Sequence, residues 1–243
     1  MLGFHFINCI FAFLIVKIVL LDFKNLFMEK YTALVAGGSG LVGSHLLGQL
    51  IDDSNCESII LLQRRETSHS SAKVKSMVID FSQLHNFVSP VPVNFVFCAL
   101  GTTIRTAGSQ EAFRKVDFSY VRDLAAWSAA NKASKFLLVS AMGANKDSSI
   151  FYNRVKGEAE KAVAELNISA VHIFRPSLLM GTRTENRFGE RVAQLIIGAL
   201  GFLFIGPLKN VKAIHASKVA NAMIKAATTD SSGVHIHLSG EMQ

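Results

Sequence analysis

Tyr31-Thr-Ala-Leu-Val-Ala-Gly37-Gly-Ser-Gly40-Leu-Val-Gly43-Ser-His-Leu-Leu47 is the stretch on which the fold turns. A short apolar run meets three glycines spaced three apart, and helix-period residues Leu41, Leu46, Leu47 and Leu50 follow. The stretch reads as a strand, a tight turn and the first turn of a helix. Gly37 at the strand exit can take a positive φ, Gly40 lets the backbone approach a pyrophosphate, and Gly43 lets helix and strand pack closely. Gly38, Ser39, Leu41 and Val42 complete the turn, whose N–H groups and positive helix end would face a diphosphate.

Outward from the glycines, helical spacing runs to Ile51 and stops in the turn formers Asp52, Asp53, Ser54 and Asn55. Ser58-Ile-Ile-Leu-Leu-Gln63 is then a second strand, which completes a βαβ unit. An acid at its tip would bind a ribose 2′-hydroxyl, whereas a basic residue accommodates a 2′-phosphate. The strand ends Gln63-Arg64-Arg65. Guanidinium groups match phosphate geometry, so the expected cofactor is NADP (NADPH) rather than NAD. The competing reading leaves Arg64 and Arg65 as solvated loop residues.

Val74 to Ile79 forms a third strand, and Asp80 behind it either accepts from an adenine amino group or caps a helix over Phe81 to Phe87. Val93 to Ala99 is a fourth, nearly continuous in apolar residues as a strand buried on both faces requires. It runs into Leu100-Gly101-Thr102-Thr103, where residues past a parallel strand line a ligand crevice. Glu111 to Ala130 has helical spacing, and Lys135 to Ser140 is the fifth strand.

Twelve residues after Ser140, Tyr152-Asn-Arg-Val-Lys156 opens a helix to about Leu166, with Tyr152 and Lys156 on one face. A tyrosine ordinarily titrates near pH 10, and an ammonium a few ångströms away favours its phenolate. Tyr152 would transfer a proton, Lys156 would tune it and hold the nicotinamide ribose, and Ser140 would hydrogen-bond a substrate oxygen.

Together these residues resemble the short-chain dehydrogenase/reductase superfamily in its atypical branch. Cys98-Ala-Leu-Gly-Thr-Thr103, Ala107-Gly108, Phe113-Arg-Lys-Val-Asp117 with Tyr120-Val121, and Phe174-Arg-Pro176 look like the Tat-interacting-protein-like oxidoreductases. The resemblance covers about Lys30 to Ala227. It implies a Rossmann-type sheet binding NADPH, with Ser140, Tyr152 and Lys156 as the catalytic set and Pro176-Ser177-Leu178 packing against the nicotinamide. The superfamily's usual Asn-Asn-Ala-Gly after the fourth strand is here Ala99-Leu-Gly101-Thr-Thr, and members of this branch often lack an assigned substrate.

The expected architecture is therefore α/β, a doubly wound parallel sheet with helices on both faces and a small C-terminal substrate or lid region. Ser169 to Arg175 supplies a sixth strand, Ser217 caps a helix over Lys218 to Ala227, and Val234 to Leu238 adds a last strand. His215 reads as a structural histidine. Thr182 to Glu190, with Arg183, Arg187 and nearby Arg191, reads as a charged lid, and the apolar Val192 to Ile205 as a buried helix or dimer face.

At 243 residues and 50% hydrophobic content the chain suits one such domain over 28–243. The net charge of +7 is scattered, with no run of five basic residues, so a phosphate-bearing cofactor is expected rather than specific nucleic acid. Cys9, Cys56 and Cys98 show no metal-ligand spacing and suggest a reducing compartment, so a cytoplasmic location without a metal is expected. Residues 2–21 are almost wholly apolar, and three readings stay open: a start at Met28, a membrane anchor or a signal peptide. The leading expectation is an NADP-dependent oxidoreductase acting on an unknown carbonyl or alcohol, as a monomer or homodimer. The alternatives are a redox-sensing scaffold that binds NADPH and a protein partner without turnover, or a nucleotide-sugar epimerase or dehydratase.

Overall fold

The computed structural model describes residues 29–67, 69–181 and 212–243. The expected N-terminal segment, the charged lid and the apolar stretch over 192–205 lie outside the described residues. Seven strands form one all-parallel sheet: β1 (Tyr31–Ala36), β2 (Cys56–Gln63), β3 (Val74–Val78), β4 (Phe95–Cys98), β5 (Lys135–Val139), β6 (Ala170–Arg175) and β9 (Gly233–Leu238). Their order is β3-β2-β1-β4-β5-β6-β9, so the chain winds outward from β1 in one direction and returns to wind in the other. Ligand crevices form where such an order reverses, here between the carboxyl ends of β1 and β4. Two-residue strands β7 (Leu179–Met180) and β8 (Ile214–His215) pair separately and are too short to show a period in the sequence.

Strand alternation sorts the core into two layers. On one face Val35, Leu61, Phe97, Leu137 and Phe174 pack against helices α1 (Leu41–Asp52) and α6 (Ala216–Thr228). On the other, Leu34, Ile60, Val96, Phe136, Leu138 and Ile173 pack against α4 (Tyr120–Ala130) and α5 (Phe151–Ala164). Buried Cys56 and Cys98 are free thiols within these layers. Among the described residues no helix is long and apolar enough to cross a membrane.

Two helical expectations are corrected. The segment 111–130 is not one α-helix: α2 (Ile104–Ala107) and α3 (Gln110–Arg114) lead into a widened π-type turn at Lys115–Ser119, and only then into α4. Helix α6 begins two residues earlier than expected, so His215 holds the N-cap position and Ser217 lies inside, its carbonyl accepting from Gln49 Nε2 of α1 at 3.0 Å.

Candidate functional site

The glycine loop adopts the geometry that its spacing demands. Gly37 has φ +88°, and a Cβ on it would lie 2.4 Å from the Ala99 carbonyl oxygen at the exit of β4. A Cβ on Gly43 would lie 2.0 Å from the Gly37 carbonyl oxygen, so side chains are excluded there by backbone. The loop closes through Gly40 N–H donating to the Gly37 carbonyl at 2.9 Å. Helix α1 starts at Gly40 with no side-chain cap and no acid in its first turn. The helix itself therefore supplies no acidic side chain to its leading amides, which suits a diphosphate. Val42 is a core residue and Gly38 lies against Leu61, so these two can serve a ligand only through backbone; Ser39 is exposed and Leu41 half-buried.

At the far ends, Arg64 and Arg65 are exposed in the bend after β2. The Asp80 carboxylate accepts the Ser82 N–H at 2.9 Å and the Ser82 hydroxyl at 2.7 Å, which hold it below the usual carboxylate range. Of its two readings the cap is the one formed, although the group remains exposed. Phe81 is 3% exposed and packs its ring 5.6 Å from that of Tyr120. Its side chain belongs to the core, so Phe81, like Val42, can serve a ligand only through its backbone.

Helix α5 carries a stripe of Tyr152, Lys156 and Glu160 at i, i+4 and i+8. Lys156 Nζ lies 2.8 Å from Asp117 Oδ1, and both side chains are buried. The other carboxylate oxygen accepts the Thr102 N–H at 2.9 Å. A Cβ on Gly101 would sit 3.5 Å from Asp117 Oδ1 and 3.7 Å from Lys156 Nζ, so the strand exit lies directly against the ion pair. Burial alone would lower the Lys156 pKa, but Asp117 outweighs it and raises it above the ordinary lysine value.

Tyr152 sits with its ring 5.5 Å from that of Phe113. Lys156 does pull its pKa down as expected, but burial, the larger effect, and Asp117 both push it up, leaving it above the ordinary value. Sequence reading missed Asp117 because its role depends on the π-type turn, which no local pattern announced.

Ser140 does not present a free hydroxyl. It donates to Glu160 Oε1 at 2.5 Å, while Arg175 binds the same carboxylate through Nε at 3.0 Å and Nη2 at 2.5 Å. A serine has one hydroxyl proton, and here it is committed to a carboxylate, so its expected role as donor to a substrate oxygen is corrected. Ser177 is likewise turned away. Its hydroxyl donates to the Lys212 carbonyl at 2.6 Å and lies 2.8 Å from the Ser239 hydroxyl. The neighbouring carbonyls of Pro176 and Leu178 accept from Met142 and Ile214, both at 2.9 Å. No group of three or more His, Cys, Asp or Glu among the described residues could hold a metal ion.

Residues 33–238 match the model of the NAD dependent epimerase/dehydratase family. Protein HTATIP2 of Rattus norvegicus is 35% identical over 183 residues, covering 74% of each chain. Protein fmp52-1, mitochondrial, of Aspergillus terreus is 34% identical over 198 residues, covering 78% of this chain and 84% of that one. Among solved structures, a UDP-N-acetylglucosamine 4-epimerase of Methanobrevibacter ruminantium superposes with TM-score 0.64 at 16% identity, over 87% of this chain and 77% of that one. MoeE5 with UDP-glucuronic acid and NAD gives 0.64 at 18%, over 84% and 75%; such likenesses speak for the fold. Fungal relatives are named as mitochondrial proteins, and this overturns the cytoplasmic expectation. The chain belongs to the NAD-dependent epimerase/dehydratase family and is an NAD(P)-dependent enzyme of the oxidoreductase type.

Proposed function

We propose that the protein is an NADPH-dependent oxidoreductase in which Tyr152 carries the proton and Lys156 holds the nicotinamide ribose. One observation carries the reading: the glycine loop and the Tyr152–Lys156 helix converge on a single strand exit. Gly37 abuts Ala99, and two residues later Gly101 abuts Lys156. The diphosphate grip and the proton-handling pair are thus one short segment apart, as an extended dinucleotide requires. Leu100 and Thr102, both half-buried, line the path between them. Arg64 and Arg65 would hold a 2′-phosphate, since the tip of β2 carries no carboxylate to meet a 2′-hydroxyl. Asp80 would keep a free carboxylate lone pair for the adenine amino group.

When bound, the nicotinamide supplies or accepts hydride. The chain's own groups bind it, orient it and move the accompanying proton at the Tyr152 hydroxyl. Ser140 is left out of this set, and the substrate oxygen is met by Tyr152. Tyr152→Phe tests the reading: NADPH binding by fluorescence is expected to persist while turnover against a carbonyl panel falls about 10²–10⁴-fold. Equal turnover in the variant overturns it. The mitochondrial names of the fungal relatives support the same compartment here, which subcellular fractionation of the native protein checks.

A further inference from the structure

We infer that Asp117 is a positioning residue that cancels the charge of Lys156 and keeps Tyr152 as a protonated phenol, so that the resting site is loaded as an acid for carbonyl reduction. The inference rests on the proposed roles of Tyr152 and Lys156 and adds the direction in which they are poised. In that direction the carbonyl carbon receives hydride from a reduced nicotinamide nucleotide, which leaves oxidised. The carbonyl oxygen takes the Tyr152 proton, and the phenolate left behind is reprotonated from water.

The geometry is that of a built pair. Asp117 is 1% exposed, and a carboxylate buried so deeply is costly unless its charge is met. It is met twice, by Lys156 Nζ at 2.8 Å and by the Thr102 N–H at 2.9 Å. The π-type turn at Lys115–Ser119 interrupts an otherwise α-helical segment at the residue that makes this contact. Such widened turns cost regular hydrogen bonding and occur often at functional sites.

A lone ammonium one helical turn from Tyr152 would lower the phenol by about 1–3 pH units. A carboxylate in contact with that ammonium turns the charge into a dipole, whose field at the phenol is weaker than that of the ammonium alone. Burial acts most strongly on Tyr152, and the charged groups acting on it are Lys156 from α5 and then Asp117 from the π-type turn. Cys98 of β4, near the pair, stays a thiol because burial pushes it up to about 12. With burial added, the phenol holds its proton through neutrality, and oxidation of an alcohol must first remove it.

Phenolate absorbance, titrated as the difference between the chain and its Tyr152→Phe variant, isolates Tyr152 from Tyr31 and Tyr120 and needs neither cofactor nor substrate. The midpoint is expected above the value of about 10 for free tyrosine. Asp117→Asn, which keeps an acceptor for Thr102, should lower it by about 1–3 pH units, and Asp117→Glu should return it toward the starting value. A midpoint at or below about 10 in the unsubstituted chain overturns the inference, without requiring any Asp117 variant to fold. Equal midpoints in the unsubstituted and Asp117→Asn chains overturn it as well. Failure of the functional reading shows separately, as absence of NADPH binding in the unsubstituted chain.

Discussion

Ser140 and Arg175 meet on one carboxylate, that of Glu160, which accepts Ser140 Oγ at 2.5 Å and the Arg175 guanidinium at 3.0 and 2.5 Å. The three residues tie β5, β6 and α5 together immediately beneath the Tyr152–Lys156 stripe. On the proposed reading this cluster supports the site and stays out of its chemistry. Ser140→Ala removes one hydrogen bond to a charged acceptor and should cost about 1.5–3 kcal/mol of stability in urea unfolding. Its kcat should stay within about threefold of the unsubstituted chain, against the loss of 10²-fold or more expected for Tyr152→Phe. A kcat loss in Ser140→Ala as large as in Tyr152→Phe, at unchanged stability, would restore the serine to the catalytic set.

Two glycines of α1 and its entry should respond to alanine with opposite signs. At Gly43 the new Cβ meets the Gly37 carbonyl oxygen at 2.0 Å, and backbone must move. Gly43→Ala should destabilise by about 1–3 kcal/mol and weaken NADPH binding at least about tenfold. At Gly48, inside the same helix, a Cβ would find nothing within 4 Å. Gly48→Ala should stabilise by about 0.5–1 kcal/mol through helix entropy alone. Thermal melts of the two variants side by side decide, and similar shifts would mean that the loop tolerates repacking.

The proposed 2′-phosphate contact makes Arg64 the residue at which NADPH and NADH should part. A guanidinium on a 2′-phosphate contributes about 1.5–3 kcal/mol, so Arg64→Ala should weaken NADPH binding about 10–100-fold while NADH is scarcely affected. Fluorescence titration with both nucleotides measures the ratio directly. An unchanged ratio in Arg64→Ala and Arg65→Ala alike would leave both arginines as solvated loop residues.

The sheet and the glycine loop were legible because each rests on a local pattern: apolar runs of strand length, and glycines where neighbouring backbone leaves no room. The polar partners were not, since Ser140 and Glu160 stand 20 residues apart and Ser177 and Ser239 stand 62 apart. Part of the Glu160 cluster was nevertheless recoverable. Strand alternation puts Ser140 and Arg175 on the same face as Leu138 and Ile173, the face covered by α5, and Glu160 continues the Tyr152–Lys156 stripe by one turn. Asp117 is different in kind. Its approach to Lys156 depends on the π-type turn, and residues 115–119 carry no proline or glycine to mark a departure from the α-helix.

His172 gives the fold a pH dependence that is independent of the cofactor site. It lies on β6, 3% exposed, with Nδ1 2.9 Å from His237 Nε2 of β9 and Nε2 3.0 Å from Ser231 Oγ. The His235 and His237 rings stack on it at 4.8 and 5.2 Å. Burial, with repulsion from His237, His235 and Lys135, lowers its pKa to about 4. The unfolded chain binds a proton on this histidine near pH 6.5 that the folded chain refuses until about pH 4. The stability it contributes is therefore whole above about pH 6.5 and is lost as pH falls through the window down to about 4, a loss of about 3 kcal/mol. His172→Gln should remove most of that slope from urea unfolding followed across the window, His237 supplying a smaller remainder because burial lowers its pKa too. An identical slope in the variant would show that the acid sensitivity arises elsewhere in the molecule.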